Sequence, residues 1–444
     1  MIAIIVDHPN RDLPSIVNIS ELLIKNNITN SVVLTPFYFI DNFFLSSLFK
    51  KQIKYVVYNY LRINIFKYLR YSSNAGKINI IYDTEGAPGS DGLGLYKSFK
   101  VSKDYFNYID HYIFWGTKQI QDIKKNFKLP FKTSTAGYIR FHQKNLLSTK
   151  KKKILINTNF AFGDPKFNSK VKEIKEYNKL GFSDLSHAKK ISDETYLRKI
   201  NFINTIEQLI KNNFYEDFII RPHPFENKES YNFLLKKYKN VSYDKSLTSI
   251  KSLSNSKLLI HIDCTTSIEA FYLGIPILTL SWLKNNQIST YKLTDGIGYQ
   301  AKNLEDASSF ITNNKYNSFK EKNYNKIKKN LERFFGSFKN NSLENFVKIV
   351  NKIIKKKINK KAKLFYFLSL KSYIKVFLSF IFPNLIYEFL LKIIRGNALI
   401  NLRKLKTIHQ INIERELNKN VMVYKLSNKS FILKKLYYEK SYQK

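Results

Sequence analysis

Phe218-Ile219-Ile220-Arg221-Pro222-His223-Pro224 sets three strand-forming apolar residues before a basic side chain and a histidine held between two prolines. The run reads as a short buried strand that stops at a rigid turn, because proline cannot continue a central strand. In an open α/β sheet, ligands bind at the edge where the strands end. Arg221 and His223 therefore stand on the ligand edge, and their chemistry suits a phosphate. Arginine donates bidentately, and histidine can donate to, or act as acid for, a leaving phosphate oxygen. The plain structural alternative is a strand-to-loop turn with a solvent-facing histidine.

On either side of this turn, short β-branched runs alternate with helical stretches, the pattern of parallel α/β sheets. Strands are expected at Ile154–Asn157, Leu258–Ile260 and Ile277–Leu280, with helices over Asp193–Lys211 and Ser267–Leu273. An earlier series covers Ile2–Val6, Ser31–Leu34, Tyr55–Tyr58, Ile78–Tyr82 and Tyr112–Trp115. A helix over Leu13–Lys25 stops at Asn26-Asn27. Lysines between Lys144 and Lys153 mark a boundary. The expected domains are 1–147 and 148–312, two open sheets with a crevice between their carboxyl edges, and 313–444, a basic α-helical extension. Val376–Ile394 is apolar, but Pro383 and Glu388 interrupt it and Lys375 and Lys392 bracket only 16 residues. A spanning helix needs about 20. The stretch reads either as a helical cap on the body of the protein or as a hairpin lying on an anionic membrane surface.

The second chemical segment is His261-Ile262-Asp263-Cys264-Thr265-Thr266-Ser267-Ile268-Glu269-Ala270. A buried strand runs into a hydroxyl-rich turn and then a helix. Thr265, Thr266 and Ser267 offer hydroxyls and backbone N–H groups to a phosphate, and Glu269 can accept from ribose hydroxyls. An ordinary helix cap completed by Glu269 is the alternative. Asn157, ending its own strand, adds a polar contact, and Gly163-Asp164-Pro165 beyond it is either a phosphate contact or a simple turn. In the first half Asp83 and Glu85 follow a strand and lead into the glycine-rich stretch Gly86–Gly94, while Asp12 follows Arg11 after the first strand. Each carboxylate could deprotonate or orient an acceptor hydroxyl, or simply cap its loop.

Lys and Arg number 75 against 34 Asp and Glu, a net charge of +41 over 444 residues. Such a field attracts polyanions, although a Lys-, Asn- and Ile-rich composition also reflects codon bias. Aromatics at 15% and hydrophobics at 44% exclude disorder as the main state. Cys264 is the only cysteine, so no internal disulfide forms and a reducing compartment is expected. Met1–Asp7 reads as a strand rather than a signal peptide, so a cytoplasmic location is expected, with peripheral attachment to the inner face of the plasma membrane as an option. No Cys/His cluster, H-E-x-x-H or G-K-[ST] occurs, so neither zinc nor a Walker-type phosphate loop is expected.

The R-P-H-P turn at 221–224, followed by Thr266-Ser267-Ile268-Glu269-Ala270 and Gly274-Ile275-Pro276, resembles the nucleotide-binding half of GT-B glycosyltransferases. It is most similar to bacterial surface carbohydrate biosynthesis proteins, relatives of capsule Kdo transferases and CDP-glycerol glycerophosphotransferases. Arg11-Asp12-Leu13, Asp83-Thr84-Glu85-Gly86, Phe114-Trp115-Gly116 and Ile154–Phe160 fit the same pattern. Gly137-Tyr138-Ile139-Arg140 stands where those families carry G-N-P-R. The resemblance implies an α/β GT-B fold, two Rossmann-like domains facing a central cleft, and a metal-independent glycosyltransferase of surface polysaccharide biosynthesis (capsule, O-antigen or lipopolysaccharide). The second domain would hold a nucleotide-sugar donor, CMP-linked donors included, through Arg221, Asn157, Thr265, Thr266, Ser267 and Glu269. His223 would act at the leaving phosphate, and Asp12, Asp83 or Glu85 would serve a carbohydrate or lipid-linked acceptor. No cofactor beyond the donor is implied. A polyol-phosphotransferase or a nucleotide-sugar epimerase on the same fold remains an alternative. So does a basic nucleic-acid-binding protein, against which stands the lack of any helix-turn-helix, RRM or KH signature.

Overall fold

The computed structural model describes residues 1–37, 40–41, 52–84, 93–141, 153–179, 184–246, 248–284, 292–356, 358, 360–362, 413–414, 417, 421–427 and 430–435. Glu85, most of the glycine-rich stretch after it, the basic segment 144–152 and Val376–Ile394 lie outside the described residues. Two compact units emerge. One gathers Met1–Ala87, Gly94–Gln143 and Glu332–Lys444; the other gathers Pro88–Leu93 and Lys144–Leu331.

The strands in chain order are β1 (Ile2–Val6), β2 (Ser31–Pro36), β3 (Tyr55–Tyr58), β4 (Ile78–Ile81), β5 (His111–Phe114) and β6 (Lys132–Thr135), then β7 (Lys153–Asn157), β8 (Phe218–Arg221), β9 (Val241–Tyr243), β10 (Ser256–His261), β11 (Ile277–Leu280) and β12 (Tyr299–Ala301). Two more, β13 (Val421–Ser427) and β14 (Ser430–Lys435), follow far downstream.

In the first unit the order is β13-β14-β2-β1-β3-β4-β5-β6. From β2 to β6 every pairing is parallel, so the chain changes direction across the sheet between β1 and β3, its topological switch point. Strands buried on both faces need continuous apolar runs, which explains Ile-Ala-Ile-Ile-Val in β1, buried throughout. Helix Pro9–Lys25 follows with proline in its first turn and buries Leu13, Ile16, Val17, Leu23 and Ile24 at helical spacing. Asn27 then adopts a left-handed φ of 53°, a conformation asparagine tolerates better than most residues.

The region after 312 is helical at Lys315–Ser318, Tyr324–Phe335 and Ser342–Lys355. It is not helical to the end: β13 and β14 form an antiparallel hairpin, and β14 pairs antiparallel with β2 at the edge of the first sheet. Alternation decides it, since Phe431 and Leu433 are buried two residues apart. Helix Ser342–Lys355 starts under an Asn341 cap, whose side-chain oxygen accepts from the N–H groups of Leu343 (3.1 Å) and Glu344 (3.3 Å). It buries Leu343, Phe346, Val347, Val350 and Ile353, each worth about 1.5–3 kcal/mol when fully covered. Phe346 meets Tyr82 edge to face at 5.2 Å.

Helix Tyr324–Phe335 closes on the end of β5. A methyl group on Gly116 would stand 2.2 Å from the Arg333 carbonyl oxygen and 2.6 Å from the Phe334 carbonyl carbon. Because both are backbone atoms, neither can swing aside. Gly116→Ala is expected to lower stability by about 1–3 kcal/mol, read as a lower urea midpoint, whereas Gly274→Ser, with nothing within 4 Å of its Cβ position, tests left-handed strain alone.

In the second unit the order is β12-β11-β10-β7-β8-β9, parallel throughout. Counted from β7, this is the 3-2-1-4-5-6 order of the Rossmann fold, with its switch point between β7 and β10. Helix Leu185–Asn212, with Asp184 as N-cap accepting from His187 N–H at 2.8 Å, buries Phe202, Ile206, Leu209 and Ile210 in the core beside β7 and β8.

Candidate functional site

At the β7/β10 switch point, the ends of neighbouring strands are tied together. Asn157 ends β7 in register with Arg221, which ends β8. The Asn157 amide donates to Cys264 Sγ at 3.0 Å, crossing from the end of β7 to the turn after β10. Cys264 itself is buried, and burial pushes its thiol up to about 11, so it is an unreactive bridge rather than a nucleophile.

Arg221 is anchored on one side. Its Nη1 donates to Asp244, to the Ser246 carbonyl (3.0 Å) and to Ser252 Oγ (3.0 Å). Burial raises the Asp244 carboxyl, but bonds from Ser252, the Ser246 N–H and Arg221 outweigh it and hold the group below the usual carboxylate range. His223, half-buried, accepts at Nδ1 from the Phe225 N–H at 3.3 Å; a neutral ring so held carries its proton on Nε2.

Thr265 caps helix Thr266–Tyr272 without a side-chain bond. Ser267 is fully buried and its hydroxyl donates to the Cys264 carbonyl at 2.8 Å, while the Thr266 hydroxyl lies 3.3 Å from the Cys264 thiol. Glu269 is 5% exposed and accepts from Ser249 Oγ at 2.5 Å. Asn157, Thr266, Ser267 and Cys264 thus form one linked cluster, whereas Glu269 bonds toward the helix Ser249–Ser254.

Sequence reasoning missed three groups here. Glu226, three residues past His223, accepts from Thr158 Oγ1 (2.7 Å), the Phe160 N–H (3.0 Å) and Tyr231 OH (2.6 Å). Lys199, 1% exposed, pairs with Glu226 at 3.1 Å and with Asp164 at 2.8 Å. Asp164 is therefore a structural partner in its turn, and Gly163 beside it is needed because a Cβ would stand 2.5 Å from the Tyr196 backbone nitrogen. The third group is Arg198, whose Nη1 donates to Asp263 at 2.9 Å while its guanidinium lies 5.8 Å from the Phe160 ring centre.

His261 is structural. Its Nδ1 accepts from the Cys264 N–H (3.1 Å), its Nε2 meets Thr279 Oγ1 (3.1 Å), and that hydroxyl meets the Ile297 carbonyl (3.1 Å). Burial, aided by Lys284, lowers its pKa to about 3. His111 in the first unit falls to about 4 through burial and the charges of Lys132 and Lys356. Both rings are uncharged when folded but bind protons in the unfolded chain below about pH 6.5. Their contribution is therefore complete above that pH and lost as pH falls toward 4, at up to about 1.4 kcal/mol per unit for each ring. Urea midpoints at pH 7, 6 and 5 should fall in step, and less steeply for the double variant His111→Asn/His261→Asn.

The first unit gathers a second polar cluster at its own switch point. Asp12, fully buried, accepts from Arg11 Nε (2.7 Å) and Nη2 (2.8 Å), from the His8 N–H (3.3 Å) and from Thr84 Oγ1 (3.0 Å). Arg11 also reaches Asp7 at 3.5 Å. Thr84, after β4, receives Arg11 Nη2 at 3.1 Å and binds the Asn59 carbonyl after β3. Asp12 and the Asp83-Thr84 turn are thereby joined, with Asp83 4% exposed. The Asn59 amide is completely buried and has no hydrogen-bond partner among the described residues. Tyr82, ending the same sheet region, donates to the Gly137 carbonyl at 2.8 Å and accepts from the Ile139 N–H at 3.0 Å, which fixes the Gly137–Arg140 turn.

Two Rossmann-like units with parallel sheets define the GT-B class of fold. A protein from Listeria monocytogenes assigned as a UDP-N-acetylglucosamine 2-epimerase is similar at a TM-score of 0.52 and 9% identity, over 83% of this chain and 99% of that one. More distant are Staphylococcus aureus MnaA with UDP, at 0.49 and 11% over 82% and 99%, and the UDP-GlcNAc 2-epimerase of Methanocaldococcus jannaschii, at 0.45 and 14% over 79% and 99%. The fold assignment rests on the first. No sequence-family profile matches the chain, and no curated protein matches it either. Among the described residues no helix is long and apolar enough to cross a membrane.

Proposed function

We propose that this chain is an enzyme acting on a nucleotide-activated sugar in the building of a surface polysaccharide, and that its reaction is glycosyl transfer. One observation carries the reading: Asn157, Arg221 with His223, and the Asp263–Ser267 turn all follow adjacent strands at the switch point of a Rossmann-ordered sheet. Arg221, anchored through Nη1, brings a guanidinium suited to a phosphate to this edge, and His223, two residues on, adds an imidazole beside it. As the glycosidic bond breaks, these donors stabilise the charge that grows on the leaving phosphate. Acceptor deprotonation falls to Asp83 or Glu85. Asp12, already bonded to Arg11, Thr84 and the His8 N–H, positions that turn.

The test is to incubate the protein with UDP-, GDP-, CDP- and CMP-activated sugars, with and without a membrane extract supplying lipid-linked acceptors, and to follow free nucleotide. Acceptor-dependent release of one nucleotide is the expected result. Conversion of UDP-GlcNAc to a 2-epimer without acceptor would replace transfer with epimerisation. Transfer of glycerol phosphate from CDP-glycerol would replace it with phosphotransfer.

A further inference from the structure

Arg198 projects from the middle of helix Leu185–Asn212, more than sixty residues before the turn it contacts. Among the described residues its guanidinium makes one hydrogen bond, Nη1 to Asp263 Oδ2 at 2.9 Å, and it lies over Phe160, three residues past the end of β7. Asp263 is two residues past the end of β10. The arginine is thus held by both loops that border the switch point of the second sheet. Its Nε is buried with no hydrogen-bond partner among the described residues, although the residue as a whole is 91% covered.

A buried guanidinium N–H left unmade costs more than a neutral one, and native structures retain such groups where a ligand or a function accounts for them. Asp263 occupies one edge of the guanidinium. The opposite edge, Nε with Nη2, is the two-pronged face that matches a phosphate. Arg221 on β8 is held in the same manner, by Asp244 through Nη1. Lys284, after β11, has its charge felt at both Asp263 and His261, and is itself paired with Asp295 at 3.1 Å.

We propose that Arg198 is a phosphate-binding residue of the second unit, presented by Asp263 and Phe160 at the β7/β10 switch point, and that its ligand is the phosphate chain of a nucleotide. The nucleotide rests on the function proposed above, while the anion site rests on Arg198 alone.

Calorimetric titration with inorganic pyrophosphate, UDP, CDP and the nucleosides uridine and cytidine separates the two. Arg198→Gln is expected to weaken pyrophosphate and the preferred nucleoside diphosphate about 10- to 100-fold, with nucleoside binding unchanged. Arg198→Lys, which keeps the charge but not the fork, should recover part of the loss and serves if the glutamine variant does not fold. Asp263→Asn keeps a hydrogen-bond acceptor for Nη1 but removes a competing negative charge, and should tighten pyrophosphate several-fold, a gain that should vanish in Arg198→Gln/Asp263→Asn if Arg198 is the group that holds the anion. Pyrophosphate binding that is lost in Arg198→Gln, without binding of either nucleotide, upholds the anion site and rejects the nucleotide reading. Wild-type affinities in folded Arg198→Gln and Asp263→Asn, or no pyrophosphate binding by the unaltered protein, overturn the assignment.

Discussion

Replacing His223 by alanine is expected to lower acceptor-dependent nucleotide release about 100- to 10,000-fold, the usual span for a positioned proton donor. The fold should survive. The side chain is half-buried at the carboxyl edge, and its Nδ1 accepts only a long, 3.3 Å bond from the Phe225 N–H two residues on. The loss should appear in kcat more than in KM, because a donor to the leaving phosphate acts mainly as charge develops. His223→Gln retains a donor and should recover part of the rate. A circular dichroism melt alongside the assay establishes that the variant is folded. Full activity in folded His223→Ala would remove the histidine from the mechanism.

The largest stability effect is expected at Lys199. Its ammonium is nearly sealed from solvent between Glu226 and Asp164 and also donates to the Asn227 carbonyl at 2.8 Å. Lys199→Met leaves Glu226, whose side chain is wholly buried, without its cation. Removing one member of such a pair costs about 3–5 kcal/mol. The double variant Lys199→Met/Glu226→Gln should regain much of this, because a neutral amide can still accept from Thr158 and Phe160, whose bonds to Glu226 are 2.7 and 3.0 Å. The effect extends to function, since Glu226 joins the loop after β7 to the loop carrying His223. Ligand affinity should therefore drop in the single variant even at temperatures where it stays folded, and chemical denaturation with ligand titration reads both.

The parallel strands were legible because a strand covered on both faces must be apolar without interruption, as in Leu258-Leu259-Ile260 and Ile277-Leu278. Edge strands lack that constraint. Lys132-Thr133-Ser134-Thr135 is polar and partly exposed, and Val241–Tyr243 and Tyr299–Ala301 are three residues each at the margins of the second sheet. Nothing in these residues predicts a strand. The hairpin at 421–435 carries only a short apolar run, Phe431-Ile432-Leu433, and its lysines suggest continuation of the basic helices. What places it is pairing with β2, almost four hundred residues away, which no local pattern encodes.

The candidate site was legible where side-chain chemistry and local geometry coincide. Arg221 and His223 announce themselves through the prolines that flank them. Arg198, Lys199 and Glu226 do not, since a basic residue in a lysine-rich helix looks like a solvated face until the fold brings Asp263 or Glu226 against it. Burial of the partner, not residue type, distinguishes Lys199 from exposed Lys190 on the same helix.

The first unit is assembled from three separated stretches of chain, and β14 supplies the neighbour that β2 needs on its outer side. During synthesis β2 emerges early and then waits about 20–80 s, at 5–20 residues per second, before β14 is made. Throughout that interval its backbone donors and acceptors are open to any other extended chain. The strands of the second unit all lie within one stretch of chain, Lys144–Leu331, and meet no such delay. Nascent chains of this protein should accordingly lean on ribosome-associated chaperones for their amino-terminal third, and yield on overproduction should be governed by translation speed through the middle of the message.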